Sequence, residues 1–247
     1  MRAALAGFAT ALCVALALPA AAADWRVLND EAIALYRKGD LDAAATRARE
    51  AVVAAETTAG PDHGSTASCL NNLAAILRAQ KKYAEAEPLY QRVLAIRERT
   101  FGAASPETAL ALNNLAVLYD AQDQLEPAET HYRRALEIRE KAQPEALDTA
   151  ATMNALAAIY MAQRKYEQAE PLLLRALAIR TKALDAKDPL VLATQKDLWT
   201  LYMSTERYAL AEQYQPEGMQ TPNEAQMRRL RASATSPKGN DPTVRSR

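Results

Sequence analysis

Residues 112–139, LNNLAVLYDAQDQLEPAETHYRRALEIR, recur as close copies on both sides of this stretch. The preceding copy, LNNLAAILRAQKKYAEAEPLYQRVLAIR, begins at Leu70, and the following copy, MNALAAIYMAQRKYEQAEPLLLRALAIR, begins at Met153. The steps between copies are therefore 42 and 41 residues, and two weaker copies begin at Leu28 and Gln195. A repeat of this length is typical of a solenoid, in which each unit buries its apolar face against its neighbours.

The composition favours helices and excludes some partners. Of the 247 residues, 49% are apolar and 6% aromatic, and seven glycines are too few for the many turns of an all-β protein. Thirty acidic residues balance thirty basic residues. The whole chain thus lacks the positive charge that nucleic acid or an anionic membrane would attract, and we expect no nucleic-acid partner.

Within each copy the apolar residues follow a helical period. Leu112, Leu115, Ala116 and Tyr119 lie at i, i+3, i+4 and i+7, and a second apolar stripe follows the polar residues 122–124. The pattern predicts two helices joined by a tight turn. The second helix opens with a large side chain in four copies: Tyr83, Leu125, Tyr166 and Tyr208.

These residues resemble a known family. The spacing of Leu115, Ala116, Tyr119, Ala128 and Tyr132 is similar to that of the tetratricopeptide repeat (TPR). The 42-residue period and the LNNLA, AEPLY and LAIR segments resemble the variant of this repeat found in kinesin light chain and in many bacterial proteins. The resemblance implies an all-α, TPR-like α-solenoid, a right-handed superhelix of about five helix-turn-helix repeats within residues 24–214. The expected repeats lie near 28–66, 70–108, 112–149, 153–191 and 195–214, and the outer two are degenerate, as capping repeats are.

The N-terminal segment predicts export. Residues 1–23 contain a basic start, an apolar core and an Ala-x-Ala end, which are the parts of a secretory signal peptide, so we expect cleavage before Asp24. The mature protein would then be periplasmic or secreted. The alternative is an uncleaved membrane anchor, since the segment just reaches the length of a span.

The periodicity stops after Tyr214. Within residues 215–232 the Thr-Pro-Asn-Glu sequence beginning at Thr221 predicts a capping box and a short helix that covers the fifth repeat. Residues 233–247 lack apolar content and are predicted to form a disordered basic tail. We interpret this tail as solvated rather than as an anionic docking site.

No catalytic motif stands in the chain. It lacks a glycine-rich phosphate loop, a paired-cysteine metal spacing and a GxSxG nucleophile motif, so we expect no enzymatic activity, no metal and no cofactor. The many Glu and Arg residues recur with the repeat. They are therefore interpreted as solvated helix faces with some i,i+4 pairing.

One polar slot recurs in a way that suggests function. The same position of four successive first helices holds Asn29, Asn71, Asn113 and Asn154, although Asn is an indifferent helix former. In the TPR family the first helices line the concave face, and asparagines in matching slots resemble those that bind a partner's main chain. An amide offers both a donor and an acceptor to an extended peptide. The alternative is that these asparagines cap or bridge adjacent repeats; we favour partner binding.

Further slots should face the same groove. They are small, apolar or nearly uncharged, and comprise Ala75, Val117 and Ala158 together with Arg78, Asp120 and Met161. Since Arg78 is the one cation placed for it and Asp120 opposes it, no carboxylate clamp is predicted. An extended or helical segment with apolar side chains fits this groove better.

The sequence therefore predicts a scaffold or adaptor that binds a peptide segment of a partner protein in the concave groove. Two alternatives stay open. One is a structural subunit that oligomerises in a cell-envelope or secretion assembly, and the other is a hydrolase with a scattered site. A membrane is expected as a partner only if residues 1–23 are retained.

Overall fold

The structure is a computed structural model that describes residues 24–217 and Gln226. The predicted signal segment, the basic tail and nearly all of the predicted capping helix lie outside these residues. Among residues 24–217 every regular element is a helix, which confirms the all-α prediction. In chain order the helices are α1 (Trp25–Arg37), α2 (Leu41–Ala59), α3 (Gly64–Ala79), α4 (Tyr83–Phe101), α5 (Pro106–Asp120), α6 (Leu125–Ala142), α7 (Leu147–Ala162), α8 (Tyr166–Ala183), α9 (Pro189–Ser204) and α10 (Tyr208–Gln213). We call the odd-numbered helices first helices and the even-numbered ones second helices.

Two first helices begin with a side-chain cap followed by proline. Ser105 caps α5, where its hydroxyl oxygen accepts a hydrogen bond from the backbone N–H of Thr108 at 3.1 Å, and Pro106 occupies the first helical position. Asp188 and Pro189 do the same for α9. The second helices α4, α6, α8 and α10 each begin at the large side chain predicted to open them.

A left-handed residue lies in every turn from a first to a second helix. Only the first of these turns uses glycine, Gly39 at φ 82°; the others hold Lys81, Asp123, Arg164 and Glu206, with φ between 56° and 61°. After α5 the N–H of Gln124 bonds to the carbonyl of Tyr119 at 3.0 Å, which is the wide bond of a Schellman ending. The repeat thus keeps one turn geometry although most copies lack the residue that adopts it without strain.

The chain divides into two compact units, the first ending at Gln80 and the second beginning at Lys81. Within the first unit, α2 packs against α1 and α3. Its buried face consists of Val52 and five alanines, Ala44, Ala45, Ala48, Ala51 and Ala55. Such small side chains let helices approach closely, and the larger buried groups come from α3, at Leu70, Leu73 and Leu77.

The second unit contains α4–α10, each helix packing on the next in the chain from α4 to α10. Tyr132 is buried in its core together with Met153, Leu173 and Leu198. Leu112 packs with Ala109, Ala135 and Ile138, and with the partly buried Leu94. The apolar stripes of the repeats therefore serve packing, and they leave one side of each first helix uncovered.

Candidate peptide-binding face

The uncovered side of the first helices in the second unit forms what we call the first-helix face. It contains a stripe from α5 and its C-cap (Glu107, Leu110, Asn114, Val117, Ala121), one from α7 (Asp148, Ala151, Ala155, Ala158, Ala162) and one from α9 (Leu190, Ala193, Asp197, Thr200, Ser204). All of these residues are exposed or half-buried. Positions spaced by three, four or seven residues share one side of a helix, so each stripe faces the same way along its helix.

Asn113 lies at the edge of this face on α5, and its amide has most of its hydrogen-bonding capacity free. The hydroxyl of Thr152 approaches its Oδ1 only at 3.5 Å and makes a shorter bond of 3.0 Å to the carbonyl of Asp148. The Asn113 NH₂ group has no hydrogen-bond partner within residues 24–217. Both halves of this amide remain available to a ligand.

Asn154 occupies the same slot on α7 but is bridged to the next first helix. Its Nδ2 donates to Oδ2 of Asp197 on α9 at 2.9 Å, while the hydroxyl of Thr194 approaches its Oδ1 at 3.4 Å. One N–H of the amide and most of the acceptor capacity of Oδ1 are left. Asn154 thus combines a bridge between repeats with the capacity to bind a ligand.

In the first unit the corresponding slot shows another bridge. Oδ1 of Asn29 on α1 accepts a hydrogen bond of 2.8 Å from Nδ2 of Asn72 on α3. The bridging alternative considered for the asparagines is therefore present at Asn29 and Asn154, and their binding role stays a prediction. Asn71 and Ala75 on α3 are half-buried, as is Arg78, whose Nε is buried without a hydrogen-bond partner in the described chain.

The remaining predicted residues lie on exposed parts of the second unit. Val117 and Met161 are half-buried and pack partly on the core, whereas Ala158 and Asp120 are exposed. Partial burial and the neighbouring Asp123 raise the pKa of the Asp120 carboxyl. Asp120 is thus a carboxylate that has lost some hydration and, within residues 24–217, has gained no cation in return.

Asp197 is a site residue that sequence reasoning missed. The asparagine slot holds Lys196 in the fifth copy, so the ladder was expected to end before α9. Burial raises the pKa of Asp197, against the lowering effects of the Asn154 hydrogen bond and of Arg180. Only the packing of α7 against α9 shows that the Asp197 carboxylate lies next to Asn154 and so continues the row of polar side chains begun by the asparagines.

Two buried arginines correct the prediction that the recurring arginines are solvated. Arg139 donates to the carbonyl of Asp148 and, at 2.7 Å, to the hydroxyl of Thr152, and Arg180 makes the equivalent contacts to Leu190 and Thr194. Burial lowers the pKa of both guanidinium groups. The prediction was wrong here because a second helix ends against the first turns of the following helix, where polar groups replace water.

The sequence did hold a signal for these contacts. Thr152 and Thr194 follow the two arginines by 13 and 14 residues, whereas Ala111 stands in the matching slot after Arg97. Arg97, which has no threonine in that slot, is half-buried and lies over the ring of Phe101 at 5.5 Å. The arginine is buried where the slot offers a hydroxyl.

Charged residues also link successive repeats in the second unit. Arg134 pairs with Glu98 and Arg175 with Glu140, both at 2.5 Å, although the partners are 36 and 35 residues apart. These pairs join one second helix to the next, so they are not the i,i+4 pairs expected from the sequence. The second helices thereby neutralise much of their own charge.

Within residues 24–217 no group of three or more His, Cys, Asp and Glu side chains is arranged to hold a metal ion. Over the same range, no helix has the length and apolar character needed to cross a membrane.

Solved structures share this fold. A kinesin-light-chain-like protein from Podosopora anserina, with nearly identical TPR-like repeats, is 24% identical, with a TM-score of 0.68, over 85% of this chain and 95% of that one. BtubC (BKLC) from P. vanneervenii is 23% identical, with a TM-score of 0.68, over 90% of this chain and 85% of that one. RapI in its apo form is 18% identical, with a TM-score of 0.66, over 77% and 51% of the two chains.

These likenesses confirm the predicted TPR-like solenoid fold. Solenoids of this kind generally serve as scaffolds for protein–protein interaction and typically carry no enzymatic activity. No curated protein matches the chain. The sequence itself matches the tetratricopeptide repeat over residues 26–98, 67–141 and 148–219, which is more than half of its length. The chain therefore belongs to the tetratricopeptide repeat family.

Proposed function

We propose that this protein is a scaffold that binds an extended segment of a partner protein on its first-helix face. The observation that supports this most is the unused hydrogen-bonding capacity of Asn113 and Asn154. Each amide is held at the edge of an exposed face of small side chains, with donor and acceptor groups left over. An extended main chain needs such a pair for each peptide unit it offers.

The floor of the face suits close approach of a main chain. Between the asparagine edge and the far side, α7 contributes Ala151, Ala155, Ala158 and Ala162 to it. A methyl group projects little, so a peptide lying on α7 can reach the amides without displacing side chains. A face lined by long side chains would first have to order them, at a cost of up to about 2 kcal/mol each.

The test removes the amide side chains and measures whether a partner protein is still captured. The protein is crosslinked in extract of its own cells, and the capture of each protein is compared between wild type and an Asn113→Ala, Asn154→Ala variant. We expect capture to be lost while helicity is kept and stability falls only by the loss of the Asn154–Asp197 hydrogen bond, about 1 kcal/mol. A matched control, Gln168→Ala with Gln213→Ala, removes exposed amides from second helices and should capture normally. Undiminished capture by the asparagine variant, or its early melting, would show that the asparagines are structural.

A structural role in an oligomer is the second candidate, and one observation favours it. The first unit has an open groove of about 530 Å³ between α1 and α2, lined by Leu28, Val53 and Ala54 among others. Val53, which lines the groove, is 62% exposed, and Val27, next to Leu28 in the sequence, is 55% exposed. Sedimentation of the protein at low concentration distinguishes the candidates, because a stable oligomer would keep its mass on dilution.

We also propose that the protein acts outside the cytoplasm, on the strength of the signal-like sequence of residues 1–23. Fractionation of the producing cells, followed by N-terminal sequencing, tests this. An exported protein beginning at Asp24 is expected. A cytoplasmic protein that retains residues 1–23 would contradict the proposal.

A further inference from the structure

Charge is distributed unevenly between the two kinds of helix in the second unit. The first helices α5, α7 and α9 contain four acidic residues and a single basic one: Glu107, Asp120, Asp148, Asp197 and Lys196. The second helices α4, α6, α8 and α10 contain ten acidic and ten basic residues. The first helices therefore carry a net charge of about −3 at neutral pH, while the second helices carry none.

The two sets also differ in how their charges are compensated. Second-helix charges pair with one another, as in Arg134 with Glu98, and Glu170 binds Arg207 of the following turn. Glu107 and Asp120 have no cationic partner within residues 24–217. Asp197 takes a hydrogen bond from an amide and is attracted by Arg180 and Lys196, and Asp148 meets a guanidinium only at 4.0 Å. Carboxylates that lack a close ion pair are thus concentrated on the first helices that form the proposed binding face.

The positions of two of these carboxylates suit a cation on the ligand. Asp197 of α9 lies on the first-helix face, and Asp120 of α5 is exposed next to Ala121 at the edge of that face. They flank the alanine floor of α7, and loss of hydration at both carboxyls disfavours the charged form. A ligand cation placed beside them would stabilise the charged form again.

We propose that the partner segment on the first-helix face is basic, with Lys or Arg side chains pairing with Asp120 and Asp197 and small side chains lying over the alanines of α7. This inference rests on the proposed function and adds the chemistry of the partner to it. An acidic segment or a nucleic acid would bring its negative charge against four carboxylates and a single lysine, and is repelled.

Three labelled dodecapeptides, capped at both ends, test the inference with the full-length protein. One alternates Lys with Ala, one alternates Glu with Ala, and a neutral one alternates Ser with Ala. Fluorescence anisotropy at low salt should show saturable binding of the Lys peptide, weaker binding of the Ser peptide and none of the Glu peptide. Binding of the Lys peptide should weaken at physiological salt, since exposed charges are then screened within about 8 Å. Equal affinity for the three peptides, or no saturable binding of the Lys peptide, overturns the inference.

Charge-removing variants locate the binding. Asp120→Asn with Asp197→Asn should weaken the Lys peptide about tenfold, because two charge pairs worth roughly 0.7 kcal/mol each are lost. The matched control, Glu137→Gln with Glu167→Gln, removes the same charge from exposed positions of second helices and should leave affinity nearly unchanged. Equal weakening in both double variants would mean non-specific attraction and would sink the proposal. Lys196→Glu, which adds charge to the face without removing a buried group, should strengthen binding; weaker or unchanged binding contradicts the proposal.

The asparagines separate this inference from the proposed function. If Asn113→Ala with Asn154→Ala abolishes binding of all three peptides and their affinities in wild type are equal, main-chain binding stands and the basic preference fails. If the Lys peptide depends on Asp120 and Asp197 but not on the asparagines, the basic preference stands and main-chain binding by the amides fails.

Discussion

The amide nitrogen of Asn154 on α7 lies 2.9 Å from the Oδ2 atom of Asp197 on α9, so a slot that sequence suggests for a ligand also joins two repeats. The carboxylate is partly buried, and this burial raises its pKa. An isolated helix would show neither property. Both properties arise because α7 and α9 pack side by side, which brings together two residues that are 43 positions apart in the sequence.

The raised pKa of Asp197 predicts how stability depends on pH. Between the unfolded pKa and the higher folded pKa, the native state binds more protons than the unfolded state, so the free energy of unfolding falls as pH rises through that window. Asp197→Asn removes the ionisable carboxyl, and with it this fall in stability with rising pH, but keeps a hydrogen-bonding group beside Asn154. Urea denaturation measures the free energy of unfolding of both proteins at about pH 4 and about pH 7. The value for the variant minus that for wild type should be larger at the higher pH. The same difference between the two proteins at both pH values would contradict this account.

The buried guanidinium of Arg180 depends on the hydroxyl of Thr194. Thr194→Val keeps the shape of the side chain but leaves a buried charged donor without one acceptor, so we expect a loss of about 1–3 kcal/mol in urea denaturation. The control is Thr200→Val on the same helix, which also removes a hydroxyl bonded to a backbone carbonyl but contacts no arginine. Its cost should stay within about 0.5 kcal/mol. Equal costs would show that the contact with Arg180 contributes nothing.

Tyr202 connects α9 to the preceding second helix and to the next turn. Its hydroxyl donates to Oε1 of Glu170 at 3.0 Å, and Arg207 binds the same carboxylate and lies over the tyrosine ring at 4.8 Å. Tyr202→Phe should lower the free energy of unfolding by about 1 kcal/mol. Tyr166→Phe, which removes a hydroxyl from the start of α8, is the control and should cost less.

The same contact has an alkaline signature. Burial and the hydrogen bond to Glu170 raise the pKa of Tyr202 to about 12. An unfolded tyrosine loses its proton near pH 10, so the free energy of unfolding falls as pH rises from about 10 to about 12. Ultraviolet titration should show a late phenolate signal that is reduced in Tyr202→Phe, although Tyr119 and Tyr160 also have raised pKa values, and the alkaline loss of stability should be shallower in that variant. An unchanged titration curve would place the late phenolate at another tyrosine.

Arg164 occupies a left-handed turn position at φ 60°. Arg164→Gly relieves a strain of about 1–2 kcal/mol but adds freedom to the unfolded chain, so a net gain of up to about 1 kcal/mol is expected in thermal or urea unfolding. Gln163→Gly is the neighbouring control, since Gln163 has a negative φ and gains nothing from glycine. That control should destabilise the protein. A loss of stability in Arg164→Gly as well would mean that the turn is not strained.

Most of the fold could be predicted because its information is local. The apolar period and the large residue that opens each second helix are properties of neighbouring positions, and the structure confirms them. Less of the candidate site could be predicted. Asn113 and Asn154 occupy the same slot of the repeat, yet of the two only Asn154 donates a hydrogen bond to a carboxylate. The difference lies in the following repeat, which supplies Asp197 as the partner of Asn154.

The sequence by itself determined that this is an all-α TPR protein, since a 42-residue period with helical spacing states both the unit and its stacking. The tertiary structure decided which polar side chains form hydrogen bonds between stacked repeats and which stay available. Arg139 and Arg97 occupy equivalent slots, but Arg139 is buried against Thr152 whereas Arg97 lies over a phenyl ring. The physical reason is that a charged side chain gives up water only where packing supplies another acceptor, and such acceptors come from residues far away in the chain.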